Sequence, residues 1–166
     1  MTNFENVIEN IDKFKEINKL NDKKTENGLI YAPLNYKKHN YGFMIFSKEE
    51  YNKSKIKKFS KTSKKHFEKY PQHHRFYFYE KLNGDKNNII FILYNPSYAT
   101  PEVNDPTINN CIKLANENNF STIEILNIYS ERNPNIKNLE DENNDLNIQF
   151  INQLLNKRET PIIVLA

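Results

Sequence analysis

Between Phe4 and Leu20 the apolar residues Phe4, Val7, Ile8, Ile11, Phe14, Ile17 and Leu20 recur at intervals of three and four, which places them on one helical stripe. Thr2 with Glu5 fits a capping box, so a helix is predicted over 3–20. Its stripe can pack on the domain or dock a partner helix, and ordinary amphipathicity favours packing. After Gly28 the pieces LIYAPL and YGFMIFS predict short strands or irregular structure. From Arg75 the pattern sharpens. RFYFYEKL and NNIIFILY both suit strands, and the intervening Asn83-Gly84-Asp85 is a strong hairpin signal. Ile108, Cys111, Ile112, Leu114 and Ala115 return to helical spacing, and FSTIEILNI to a strand. Leu146, Phe150, Ile151, Leu154 and Leu155 predict a helix over about 145–157, and PIIVLA a final buried strand.

Strand-helix-strand units make parallel pairs with right-handed crossovers, so strands at 89–94, 122–127 and 162–166 are expected side by side and parallel. The predicted architecture is a three-layer α/β fold with a mostly parallel central sheet flanked by helices. It adds an N-terminal helical and lysine-rich extension over 1–70 to an α/β core domain over 71–166. Ligands of such sheets bind beyond the carboxyl ends of the strands. FILYNPS and EILNIYS put Asn95 and Asn127 at two such ends, facing a common cleft.

Composition narrows the class. A chain of 166 residues suits one core, and its 21 Phe and Tyr supply large apolar bodies although hydrophobic residues make up only 37%. Cys111 is the only cysteine, which excludes an internal disulfide, an iron-sulfur cluster and a cysteine-rich zinc site built by this chain alone. No cofactor is implied. The N-terminus lacks a continuous apolar h-region and no window approaches a membrane span, so a soluble cytoplasmic protein without a membrane partner is expected. Net charge is only +3, but Lys53 to Lys69 holds eight Lys against one Glu. That run reads either as a solvated face or as a phosphate-binding segment using Lys57, Lys58, Lys61, Lys64 and Lys65, with Phe59, Phe67 and Tyr70 available to stack on bases.

Individual residues keep two readings each. Asp105-Pro106-Thr107 is a good helix start, with Asp as N-cap and Pro at the first turn, and such a start also offers free amides to an anion. Asn95-Pro96-Ser97 forces the backbone out of a sheet, either as a plain turn or to present an amide to a water or a base. Asn127 can lie on a solvated face or read a ligand, and Arg132 can sit on the surface or hold a phosphate.

The run FILYNPS, NDPTINNCIKLA, EILNIYSER and PIIVLA, over the last 90 or so residues, resembles a bacterial and phage family catalogued as a domain of unknown function, number 1643. That family is similar in turn to the uracil-DNA glycosylase superfamily, whose first strand ends in a water-positioning Asp or Asn followed by Pro. A later strand there ends in an Asn that reads the edge of uracil. The resemblance implies DNA repair by hydrolysis of the N-glycosidic bond of deoxyuridine after base flipping. Asn95 would be catalytic, and Asn127, Pro96, Ser97, Tyr98, Asp105 and Arg132 would bind substrate. Tyr98 or Phe120 could stack on the flipped base. DNA is the implied partner, single- or double-stranded, with a DNA-mimicking inhibitor or a replication protein as further partners. Ser97 stands where the superfamily carries an aromatic residue or Gly. The superfamily's His-Pro segment finds no match, since His39, His66, His73 and His74 all lie upstream, so the core is expected to be incomplete at its C-terminus. The alternative is a non-catalytic nucleic-acid or protein-binding module of the same fold.

Overall fold

The computed structural model describes residues 4–17, 20–35, 41–139, 144–159 and 161–166. Thr2 of the expected capping box and His39 lie outside them. The elements run α1 (Glu5–Ile17), β1 (Lys24–Glu26), β2 (Leu29–Pro33), β3 (Gly42–Ser47), α2 (Lys53–Ile56), α3 (Lys61–Lys69), β4 (Arg75–Lys81) and β5 (Ile89–Leu93). They continue with α4 (Pro106–Glu117), β6 (Thr122–Asn127), α5 (Asn144–Asn156) and β7 (Ile162–Leu165).

The seven strands of the described residues form one sheet in the order β1-β2-β3-β4-β6-β5-β7. The predicted parallel trio is present: β5 lies between β6 and β7 and runs parallel to both. The remaining pairs, β1 with β2, β2 with β3, β3 with β4 and β4 with β6, are antiparallel. The expected mostly parallel sheet is therefore corrected to a mixed, mostly antiparallel one. The aromatic pieces before the lysine run are regular strands, and β3 pairs with β4, so the sheet crosses the boundary expected at residue 70.

The hairpin signal at Asn83-Gly84-Asp85 does not join its flanking strands, because β6 inserts between β4 and β5. Gly84 serves close approach instead: a Cβ there would fall 2.3 Å from the carbonyls of Asn119 and Phe120. Asp85 and Lys86 both donate backbone N–H to Asn119 O, which fastens this turn to the entry of β6. A glycine at a turn thus marks the crossing of a third segment.

Side chains alternate across the sheet. Phe46, Phe78, Phe91, Leu93, Ile123 and Ile125 pack with α4 through Ile108, Cys111 and Ala115. On the other face Tyr31, Phe43, Tyr77, Ile90 and Leu126 pack with α1 through Ile8, Ile11 and Phe14, and with α5 through Phe150, Ile151 and Leu154. α1 is thus part of the core. Right-handed crossovers explain why α4 and α5 lie on opposite faces: the chain steps from β5 to β6 in one direction and returns past β5 to reach β7. The strand order therefore reverses between β5 and β7, where a crevice opens beyond their carboxyl ends. The final strand is not the buried one expected from its sequence. β7 is an edge strand whose Ile162, Ile163 and Leu165 are exposed, Leu165 by 77%.

Candidate functional site

At that reversal lies a cavity of about 490 Å³. Phe91 and Leu93 of β5, Val164 of β7 and Cys111 and Leu114 of α4 form its apolar walls, while Asn95, Ser97, Thr107, Asn110 and Asn133 supply polar groups. A volume of this order suits a drug-sized or nucleoside-sized ligand, and an apolar wall with a few polar groups is the usual make-up of such sites. Burial among the wall residues pushes the Cys111 thiol up to about 11, with Asp105 adding to the shift, which keeps it protonated near neutral pH.

Asn95 follows β5 where the chain leaves the sheet. Its Nδ2 donates to Pro96 O at 2.9 Å and Asn133 O at 2.9 Å, with a longer contact to Glu131 O at 3.4 Å. A carbonyl cage of this kind fixes which end of the amide is nitrogen. Oδ1 accepts no hydrogen bond from the described residues and is left as the acceptor of a residue that lines the cavity. Asn95 thus braces the turn and is a lining residue of the cavity.

Asn127 stands beside Leu93 in the parallel register. It is on the face of α4, only 1% exposed, and absent from the cavity lining. Among the described residues neither Oδ1 nor Nδ2 has a partner. Asn95 and Asn127 therefore occupy neighbouring strand ends, but Asn95 reaches the cavity while Asn127 is sealed behind it. Leaving a buried amide unpaired costs about 1–3 kcal/mol, which asks for an explanation beyond packing.

Arg132 is neither on the surface nor open to a phosphate. Its guanidinium is fully buried and donates to the carbonyls of Tyr70 at 2.6 Å and Gln72 at 2.9 Å, with longer contacts to Tyr98 and Ala99 at 3.4 Å. Phe67 lies beneath it, 4.4 Å from the ring centroid to Cζ. Burial, with Arg75 nearby, pushes its pKa down to about 9. Arg75, also buried, leaves Nε and Nη1 unpaired among the described residues; burial pushes its pKa down, and the Asp105 carboxylate opposes that shift. Asp105 is itself buried and caps α4 by accepting from Ile108 N at 2.9 Å, as the helix-start reading expects. Pro96 is buried, and its carbonyl receives Asn133 N at 3.0 Å.

The lysine run is an ordered helical pair. Tyr51, Ile56 and Phe67 form its small core, with Phe59 and Tyr98 packed against it. Phe67 is buried, and Phe59 and Tyr70 are half-buried and packed against the cores. Phe120 is core as well. Tyr98 stacks on His66 at 5.0 Å between centroids, fastening the loop after Asn95 to α3. Lys57, Lys58, Lys61 and Lys65 are exposed, while Lys64 is half-buried and lies 3.8 Å from Glu68. A second cavity of about 440 Å³, lined by Lys58, Phe59, Ser60 and Tyr98 among others, shares Ser97, Asn133 and Pro134 with the first. The two make one groove from the lysine helices to the end of β5.

Sequence reasoning missed Tyr94, Thr107, Asn110 and Asn133 of the cavity. Tyr94 was legible as the polar-tipped residue ending an apolar run. It is 44% exposed and paired with Tyr129 at 5.1 Å. Nothing local marks Asn133, whose Nδ2 donates to Glu131 Oε1 and Asn138 O and whose Oδ1 accepts from Asn135 N. Among the described residues no helix is long and apolar enough to cross a membrane.

No curated protein and no solved structure matches the chain. Residues 75–166 match the model of the family described as "Protein of unknown function (DUF1643)".

Proposed function

The chain belongs to this family of unknown function, and from that premise we propose that it acts on DNA as a uracil-DNA glycosylase-like hydrolase, with the cavity at the end of β5 receiving an extruded base. The observation that carries the reading is the Asn95 amide, whose nitrogen is held by backbone carbonyls and whose oxygen is left for the cavity. Glycosidic cleavage of deoxyuridine proceeds through an oxocarbenium-like sugar, so the protein chiefly has to orient a water toward C1′ and accommodate the departing base. A fixed amide oxygen does the first without being a strong base. The apolar walls, with exposed Tyr94 at the mouth, suit the face of a base. The groove toward Lys58 and its exposed neighbours suits the flanking phosphates.

In this reading Asn127 reads the base edge. Its unpaired Oδ1 and Nδ2 match the N3–H and O4 of uracil, and cytosine offers the opposite pattern at those atoms. One observation favours the second reading, a binding module without chemistry: Asn127 is sealed from the cavity. Release of uracil from single- and double-stranded oligonucleotides separates the two. Excision that disappears in Asn95→Ala supports the hydrolase. Salt-sensitive DNA binding with no excision under any condition supports the module.

A further inference from the structure

Away from the groove, the end of β3, the segment before β4 and the turn after β6 meet in a second polar cluster that the proposed hydrolysis does not use. His73 and His74 are consecutive, yet their ring centroids lie 4.3 Å apart, so both imidazoles serve one locus. The backbone is clamped to hold them there. His73 N donates to Glu49 O at 2.8 Å and Ser47 N to His74 O at 2.9 Å, while Arg132 N donates to His73 O at 2.9 Å. His74 N also donates to Ser47 Oγ at 3.1 Å.

We propose that Glu49, His73 and His74 form a binding site for a first-row divalent metal ion of the zinc or cobalt class. One donor atom from each of the three lies within 4.8 Å of the others. Donors about 2.0–2.2 Å from a tetrahedral ion stand about 3.4 Å apart, so closing the site needs movements of about 1 Å, available to the exposed Glu49 side chain. Two imidazoles and one carboxylate select against magnesium and calcium, which prefer oxygen donors alone. The site has an outer shell. His74 Nδ1 lies 2.9 Å from Ser130 Oγ, which orients the ring and leaves Nε2 as the ligand atom. His73 Nε2 is a buried ring nitrogen with no hydrogen-bond partner among the described residues, and Glu131 Oε1 stands 3.9 Å from it, itself held by Tyr51 Oη at 3.0 Å. A pocket of about 200 Å³, lined by Glu49, His74, Ser47 and Ser130 among others but not by His73, adjoins the cluster and leaves space for water beside an ion. Lys55 Nζ lies 3.8 Å from Glu131 Oε1 and brings an opposing positive charge to this locus.

The test is titration of tag-free, metal-stripped full chain with Co²⁺, followed by visible d–d absorption, and with Zn²⁺, followed by calorimetry and thermal melting. The expected result is one ion per chain, an imidazole-type cobalt spectrum, and a melting point that rises with Zn²⁺ but not with Mg²⁺. His73→Ala and His74→Ala should each weaken binding about 10- to 100-fold, while His66→Ala, remote from the cluster, leaves it unchanged. Should buried His74→Ala fail to fold, Glu49→Gln keeps the test alive, because Glu49 is exposed and its loss should weaken binding several-fold with an unchanged melting point in the absence of metal. Absence of saturable binding, or binding that survives both His73→Ala and Glu49→Gln, overturns the proposal.

Discussion

β6 carries two buried polar side chains three residues apart, and they differ in one respect. Glu124, facing α1 and α5, is completely answered: Lys15 Nζ lies 3.0 Å away, Arg158 donates through Nε and Nη2, and Tyr77 and Asn88 complete the shell. Burial alone raises its carboxyl, and Lys15 and Arg158 outweigh that, leaving it below its ordinary value. The side-chain amide of Asn127, on the opposite face at the end of the strand, has no partner among the described residues, and neither have two nitrogens of nearby-strand Arg75. A buried polar group with every partner in place holds a fold together. One with none lowers stability by the cost of its lost hydration. The contrast sets a fully paired charge in mid-sheet against an unpaired amide at the carboxyl end of the same strand.

The largest effect expected is at the satisfied centre. Glu124→Gln should cost about 3–5 kcal/mol in urea unfolding, since it strands two cations around a neutral amide. Because the Glu124 carboxyl is held low, wild-type stability is present above the ordinary carboxylate range and falls as pH drops through it, and the variant should lose that part of the acid dependence. A change under about 1 kcal/mol would remove the distinction on which the comparison rests.

Arg132→Leu comes next. The guanidinium donates to four carbonyls but is buried near a second arginine, so its replacement should cost only about 1–3 kcal/mol. Hydrogen exchange should rise around Tyr98 and Ala99, whose carbonyls it holds. Asn127→Leu sharpens the contrast further, because removing an unpaired amide should leave stability unchanged or raise it by about 1 kcal/mol while uracil recognition is lost. A destabilised Asn127→Leu would mean that the amide has a structural partner. The smallest effect concerns Cys111. With its thiol raised to about 11, alkylation at pH 8 should run about 100-fold slower than for a free cysteine. The rate should climb about tenfold per pH unit, and a ligand in the cavity should slow it again.

Much of the frame was legible in the sequence, for reasons that also explain the failures. α1, α4 and α5 follow from three-and-four spacing, and the parallel trio from strand-helix-strand order, because both signals are local. Sheet order is not local. Asn83-Gly84-Asp85 looks like a hairpin until Asn119 is known to pass 2.3 Å from a Cβ on Gly84. An apolar run such as PIIVLA reports its composition but not whether anything covers it, and β7 turned out to be exposed. At the candidate site Asn95 stood out because Asn-Pro must end a strand. Arg132 looked like a surface charge because the carbonyls of Tyr70 and Gln72 that bury it lie more than 50 residues away in sequence.

The central claim is that the Asn95 amide at the end of β5 positions a water for base excision. Uracil release from a uracil-containing oligonucleotide, compared between the wild-type chain and Asn95→Ala with folding checked for both, tests it most directly. The account predicts release by the wild type and loss of at least about 100-fold in the variant, which should unfold only about 1 kcal/mol more easily. Equal release by both proteins, or release by neither, would contradict it.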